Sequence, residues 1–155
     1  MNLPTAAAAA QRTKGPIVWL DMDQRDLDDA YDQLVYAPNR DQLTKRRVIN
    51  SAAARQRIGA PLRFAYGPTL AEGLDVFRPV PAGAGAKGAF TPVAIFVHGG
   101  AWRTGSASDY SFVAEPFVRA GGGFVALDFT TVDETGGSLL PMVEQVRRAI
   151  GWVYR

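Results

Sequence analysis

Apolar residues along the chain follow two rhythms, and the change from one to the other near residue 60 divides it. Leu27, Ala30, Tyr31, Leu34 and Val35 stand at i, i+3, i+4, i+7 and i+8, which predicts one stripe on an amphipathic helix ending before Pro38. Asn39 followed by Gln42 resembles an N-cap and its reciprocal partner three residues on. A second helix is therefore predicted over about 40 to 57, stopped at Gly59.

Beyond residue 60 alternation replaces the helical period. "LRFAY" (62–66) sets Leu62, Phe64 and Tyr66 on one face, and "LDVFR" (74–78) does the same with Leu74, Val76 and Arg78. A hairpin or neighbouring pair near a sheet edge is predicted. "VAIFV" (93–97) is continuous and rich in β-branched residues, the pattern of a strand buried on both faces of a parallel sheet. Tyr110, Val113, Ala114, Phe117 and Val118 mark a helix after it, with a bend or restart expected at Pro116. Gly121-Gly122-Gly123 ends that helix, and "FVALDF" (124–129) reads as the next buried strand. Ser138 is expected to cap a last helix that carries Pro141 in its first turn and turns Val143, Val146, Ile150 and Val153 inward.

Strand, helix, strand, helix from residue 93 is the order of a doubly wound α/β sheet. The expected organisation is a disordered leader over 1–16, a helical segment over 17–60, and an α/β unit over 61–155. No internal repeat is visible.

Composition narrows the functional classes. Seventeen basic and fifteen acidic residues give a net charge of +2, and the largest basic run, Lys45-Arg46-Arg47, falls inside a predicted helix. It reads as a solvated helix face, because phosphate binding needs a broad basic stripe. No nucleic-acid partner is expected. The chain has no cysteine, which removes disulfides, thiolate metal sites and a cysteine nucleophile. The alanine run in "MNLPTAAAAAQRTKG" has no Lys or Arg before it, so a cleaved signal peptide is not expected, and no apolar stretch approaches a membrane span. A cytoplasmic protein without a membrane partner is the expectation.

Gly83-Ala84-Gly85-Ala86-Lys87-Gly88 matches G-x-G-x-x-G in letters. A pyrophosphate cradle needs a strand directly before the first glycine and a helix at the last. Pro79 and Pro81 precede this run and Phe90-Thr91-Pro92 follows it, so it reads as a flexible loop. No cofactor is expected.

The chain's single histidine, His98, opens Gly99-Gly100-Ala101-Trp102 directly after the 93–97 strand. Ligands of open α/β sheets bind beyond the carboxyl ends of the strands. Two glycines there let backbone N–H groups approach a ligand, where they can hold the charge that develops on a carbonyl oxygen during acyl transfer.

"HGGAW" resembles the H-G-G-x-W signature of α/β-hydrolases of the arylformamidase (kynurenine formamidase) and carboxylesterase group, akin to the HGGG motif of lipases and esterases. "LDDAYD", "SAAARQRI", "FAYGP", "LDVFRP", "SFVAEPFVRAG" and "MVEQVRRAIGWVYR" look like the same family's N-terminal half, in order, over about residues 20 to 155. The resemblance implies the N-terminal part of an α/β-hydrolase fold, a mostly parallel sheet flanked by helices, with a helical N-terminal extension. It implies oxyanion-hole N–H groups from Gly100 and Ala101, with Gly99 shaping the turn. His98 is then structural, pinning the loop, and Trp102 packs under the pocket.

The family's triad runs Ser, then Asp or Glu, then His, with the serine in G-x-S-x-G. None of Ser51, Ser106, Ser108, Ser111 and Ser138 lies in that pattern, and no histidine follows His98. The expectation is therefore half of a serine hydrolase for a small ester or amide. Its partner is a missing C-terminal hydrolase segment, or self-association covering the open edge of the 93–97 strand. The alternative is a truncated, non-catalytic binding or assembly module. Asp128, Asp133 and Glu134 cluster after a strand end, in "LDFTTVDETGG", where relatives often carry Asn-Tyr or Asp-Tyr followed by Leu-x-Pro. An acid/base pair or a metal site there is the minor reading, against loop solvation and helix capping.

Overall fold

The computed structural model describes residues 12–32, 36–79 and 91–155, which divide into two compact units, Met1–Asp41 and Gln42–Arg155. The G-x-G-x-x-G run, Leu34, Val35 and residues 1–11 of the expected leader lie outside the described residues.

In the first unit a two-strand antiparallel ladder, β1 (Ile17–Trp19) and β2 (Met22–Asp23), runs into α1 (Gln24–Tyr31). Nothing in the apolar periodicity predicts that ladder, because strands of three and two residues are too short to alternate. Asp23 organises the corner. Its carboxylate caps α1 by accepting from Asp26 N–H at 2.9 Å, accepts from Gly15 N–H at 2.6 Å, and takes the Arg12 guanidinium. The Arg12 contact, with the two N–H donors, holds the Asp23 carboxyl below the usual carboxylate range.

The second unit is one sheet with helices on both faces. α2 (Arg40–Ile58) starts just before it, and Gly59 takes φ +90° after the last turn, a left-handed exit that costs glycine little. The strands are β3 (Leu62–Ala65), β4 (Gly73–Phe77), β5 (Val93–Val97) and β6 (Gly123–Leu127), in the order β3-β4-β6-β5. β3 and β4 form the expected antiparallel pair, with Leu62 opposite Val76 and Phe64 opposite Leu74. Both lie near a sheet edge as expected: β3 is an edge strand, and β4, one strand in, also pairs antiparallel with β6 and has largely buried residues.

β5 pairs parallel with β6, Val93 to Gly123 through Val97 to Leu127. In the described sheet β5 has a neighbour on one side only, so Val93 and Val97 stay exposed instead of buried as the apolar run predicts. β6 is the strand that is buried throughout. Its residues alternate between two cores: Phe124 and Ala126 pack with Phe77, Ala114 and Val118, while Val125 and Leu127 pack with Tyr66, Leu74 and Ala149. Burying a side chain such as Phe124 or Leu127 completely contributes about 1.5–3 kcal/mol, so this strand anchors both layers.

After β5 come a 3-10 helix (Ala107–Val113) and α3 (Ala114–Arg119). Pro116 stands in the first turn of α3, where its missing N–H has no helical partner to lose. The expected interruption is thus a restart. α4 (Leu140–Tyr154) closes the chain. Ser138 is not its cap: Leu139 holds the N-cap position, with no side-chain bond to the first turn. The inward face differs too. Met142, Gln145 and Ala149 are buried, with Val146, Trp152 and Val153 packed beside them, whereas Val143 and Ile150 are about half exposed. The period was legible, but its phase is set by small Ala149 and by Gln145, whose side chain accepts from Thr130 N–H at 2.8 Å.

α2 docks without an apolar stripe. Ser51 and Ala54 are its buried residues; Ser51 Oγ donates to Asp109 O at 2.6 Å, and Arg55 donates to Ser108 O at 2.7 Å. Among the described residues no helix is long and apolar enough to cross a membrane.

Candidate active site

β5 and β6 run parallel, so their carboxyl ends open on the same side of the sheet. The loops leaving them, 98–106 and 128–139, meet there. A cleft of about 200 Å³ is lined by His98, Gly99, Gly100, Ala101, Trp102, Thr104 and Phe129. Larger depressions exist, such as one of about 480 Å³ lined by Pro92, Val93, Pro116 and Phe117. That one offers almost entirely apolar surface, whereas the smaller cleft has free backbone N–H groups, and chemistry rather than volume selects it.

The loop is built around one tight turn. Gly100 O accepts from Arg103 N–H and Thr104 N–H, both at 3.0 Å. Gly100 takes φ +140°, and a Cβ there would lie 1.9 Å from Thr104 O, so no other residue fits. Ala101 and Trp102 follow at φ +52° and +59°, an uncommon pair of left-handed non-glycine residues. Strain of this kind collects at functional sites and persists only when the surroundings impose it. The turn that the resemblance assigns to Gly99 is carried by Gly100, since Gly99 has ordinary φ and a Cβ on it would meet nothing within 4 Å among the described residues.

The surroundings here come from the loop after β6. Val132 N–H donates to Trp102 O at 2.8 Å, and Arg103 pairs with Asp133. His98 is buried, with its ring stacked between Phe129, 4.6 Å away at 15°, and Tyr110, 5.7 Å away at 12°. Its Nδ1 lies 3.0 Å from Gly99 O. Trp102 does not pack beneath the pocket as expected. Its left-handed backbone turns the side chain outward, where it is 62% exposed and lines the cleft. Gly100 and Ala101 line the cleft as well, and among the described residues their N–H groups find no acceptor.

The three carboxylates after β6 do not converge. Asp128 Oδ1 accepts from Ala107 N–H at 2.6 Å, capping the 3-10 helix, and Oδ2 lies 2.5 Å from Arg63 Nη2. Asp133 faces Arg103. Glu134 accepts from Thr131 N–H at 2.7 Å and from the Thr130 and Thr131 hydroxyls, contacts that lower its pKa and tie its own loop. No group of three His, Cys, Asp or Glu side chains among the described residues could hold a metal ion. Phe129 and Thr104 belong to the cleft but carried no signal in the sequence beyond their place near a strand end. Lys45 and Arg46 are exposed as a solvated face would be, while Arg47 is half-buried against Tyr110.

Comparison with known proteins gives this geometry a class. No family model matches the chain. Among solved structures, a candidate thioesterase from Silicibacter sp. tm1040 superposes with a TM-score of 0.69 at 23% identity, covering 81% of this chain and 45% of that one. A thermophilic esterase from Thermogutta terrifontis superposes at 0.50 and 19% identity, covering 62% of this chain and 34% of its own. The chain has the fold of the α/β-hydrolases, represented in part. Within that fold it resembles the kynurenine formamidases: it is 33% identical to that of Danio rerio over 85 residues, which is 55% of this chain and 27% of the relative. To the enzyme of Salmo salar it is 28% identical over 138 residues, 85% of this chain and 45% of the relative. The chain spans less than half the length of these curated relatives.

Proposed function

We propose that the chain supplies the oxyanion-hole half of a serine hydrolase that cleaves a carboxylic ester or an arylformamide. The observation that carries this reading is the pair of unengaged N–H groups, Gly100 and Ala101, in a cleft at the carboxyl ends of two parallel strands. The resemblance to kynurenine formamidases and the fold shared with esterases support it.

In this reading a serine supplied by polypeptide beyond these 155 residues, activated by a histidine and a carboxylate from the same source, attacks the substrate carbonyl. The C=O π electrons move to oxygen, and the Gly100 and Ala101 N–H groups receive the oxyanion. Losing one such donor typically costs about 10²- to 10³-fold in rate. His98, stacked against two aromatic rings, holds the loop and is not the catalytic base in this reading. The polypeptide that brings the triad also covers β5, whose outer edge has no strand beside it in the described sheet.

One rival stands beside it: a hydrolase-like binding or assembly module without chemistry. The two readings separate in an assay with short-chain p-nitrophenyl esters and N-formylkynurenine, on this chain with and without a downstream hydrolase segment. Turnover only with the segment supports the proposal. Turnover of neither substrate by the joined protein overturns it in favour of the module, and turnover of esters alone restricts the substrate to esters.

A further inference from the structure

The peptide between Gly99 and Gly100 is held from outside the loop. Its carbonyl, Gly99 O, lies 3.0 Å from His98 Nδ1 and accepts from Tyr110 Oη at 3.3 Å. Tyr110 is held in turn by Arg47 of α2, 63 residues away in sequence, whose Nη1 donates to Tyr110 Oη at 2.9 Å. The Arg47 guanidinium carbon also lies 4.6 Å from the centre of the Tyr110 ring. A hydroxyl that accepts from a cation donates its own proton more strongly, so the relay from Arg47 to Gly99 O is mutually reinforcing.

That carbonyl matters because of what shares its plane. The chain has no cis peptide bond among its described residues, and in a planar trans peptide the C=O and the following N–H point in opposite directions. Fixing Gly99 O toward Tyr110 therefore fixes the Gly100 N–H away from Tyr110. The fixing is needed. A peptide flanked by two glycines lacks the Cβ contacts that restrict rotation elsewhere, and among the described residues nothing lies within 4 Å of where a Gly99 Cβ would stand. Gly105 allows the hydrogen-bonded arrangement to close: at φ +104°, a Cβ on it would come within 2.9 Å of both Gly99 O and His98 Nδ1.

We propose that Tyr110, backed by Arg47, is a positioning residue that sets the direction of the Gly100 N–H. Its consequence for rate rests on the hydrolase reading; the peptide orientation does not. Neither residue is itself part of the cleft lining.

Two measurements test this. In ¹⁵N NMR of the 155-residue chain, Tyr110→Phe keeps the ring stack and removes only the hydroxyl. The Gly100 amide is expected to shift and broaden or double, while the amides of Gly123 to Leu127 stay in place. Arg47→Met, which leaves the hydroxyl but removes its cation, is expected to move the same amide less. A Gly100 amide unchanged in both variants overturns the proposal. In protein joined to the segment carrying the nucleophile, Tyr110→Phe is expected to lower kcat about tenfold at constant KM, less than deletion of a whole oxyanion donor because the N–H is misdirected only part of the time. An unchanged kcat overturns the positioning role. Absence of turnover in the unmutated joined protein overturns the hydrolase reading instead, and the amide then decides the orientation alone.

Discussion

The rings of His98 and Phe129 lie 4.6 Å apart and within 15° of parallel, so the first residue after β5 and the second after β6 form one unit. Parallel pairing of the two strands, with Val97 opposite Leu127, brings these residues to neighbouring levels, and the stack joins two loops that also meet through Val132 N–H on Trp102 O and through Arg103 and Asp133. Phe129 also packs on the core of Tyr66, Leu74 and Leu127. It therefore connects the cleft to the sheet.

Replacing Phe129 by Leu keeps apolar volume but removes the stack. The expected loss is about 1 kcal/mol, the typical worth of an aromatic pair beyond its buried area, read as a lower urea midpoint at unchanged slope. The His98 ring protons should move with it, in ¹H NMR, away from their ring-current-shifted positions. A variant that keeps both the midpoint and the His98 shifts contradicts this account of the loop.

Glycine substitutions should separate two kinds of position. Gly100→Ala needs φ +140° and puts a Cβ 1.9 Å from a backbone oxygen, so the turn must rearrange, at a cost of about 2 kcal/mol or more. Gly151→Ala has no such obstacle: the residue is in α4, and nothing lies within 4 Å of the added methyl among the described residues. Near the helix end a gain of about 0.5 kcal/mol is expected, from the smaller unfolded-state entropy and better helix propensity. Urea unfolding of the two variants checks both signs.

What the sequence disclosed follows a physical division. Elements whose backbone pattern is local were readable: the alternation of Leu62–Ala65 against Gly73–Phe77, the β-branched run of β5, the break at Pro116 and the exit at Gly59. Positions fixed by non-local packing were not. Which strand is central depends on β6 receiving partners from both sides, and nothing in "VAIFV" distinguishes it from "FVAL". α2 attaches through Ser51, Ala54 and Arg55, residues that form no apolar stripe. The site divides in the same way. His98, Gly100 and Ala101 stand in a recognisable string, whereas Tyr110, Phe129 and Arg47 reach them from three other elements and carry no signal of their own.

Acid should probe a second long-range clamp. Glu72 is 1% exposed, accepts from Thr69 N–H at 3.0 Å and Thr69 Oγ1 at 2.8 Å, and pairs with Arg148 of α4, which ties the β3–β4 turn to the last helix. Burial opposes its ionisation, but the Thr69 donors and the Arg148 charge outweigh burial and hold its pKa below 4.5. A carboxyl depressed in the folded state contributes stability that is present above its unfolded pKa and is lost as pH falls through the folded value. Arg148→Ala leaves the Thr69 donors but removes the charge, so the folded pKa rises. Because Arg148 is about half exposed, solvent screens the pair, and the expected loss at pH 7 is about 1–2 kcal/mol, below the value for a fully buried partner. That difference should shrink on acidification, because Glu72 takes up its proton at a higher pH in the variant than in the parent, and the neutral carboxyl no longer needs a partner. Urea midpoints of both proteins from pH 7 to pH 3 decide it, since a gap that stays constant on acidification excludes Glu72 as the group through which Arg148 stabilises the fold.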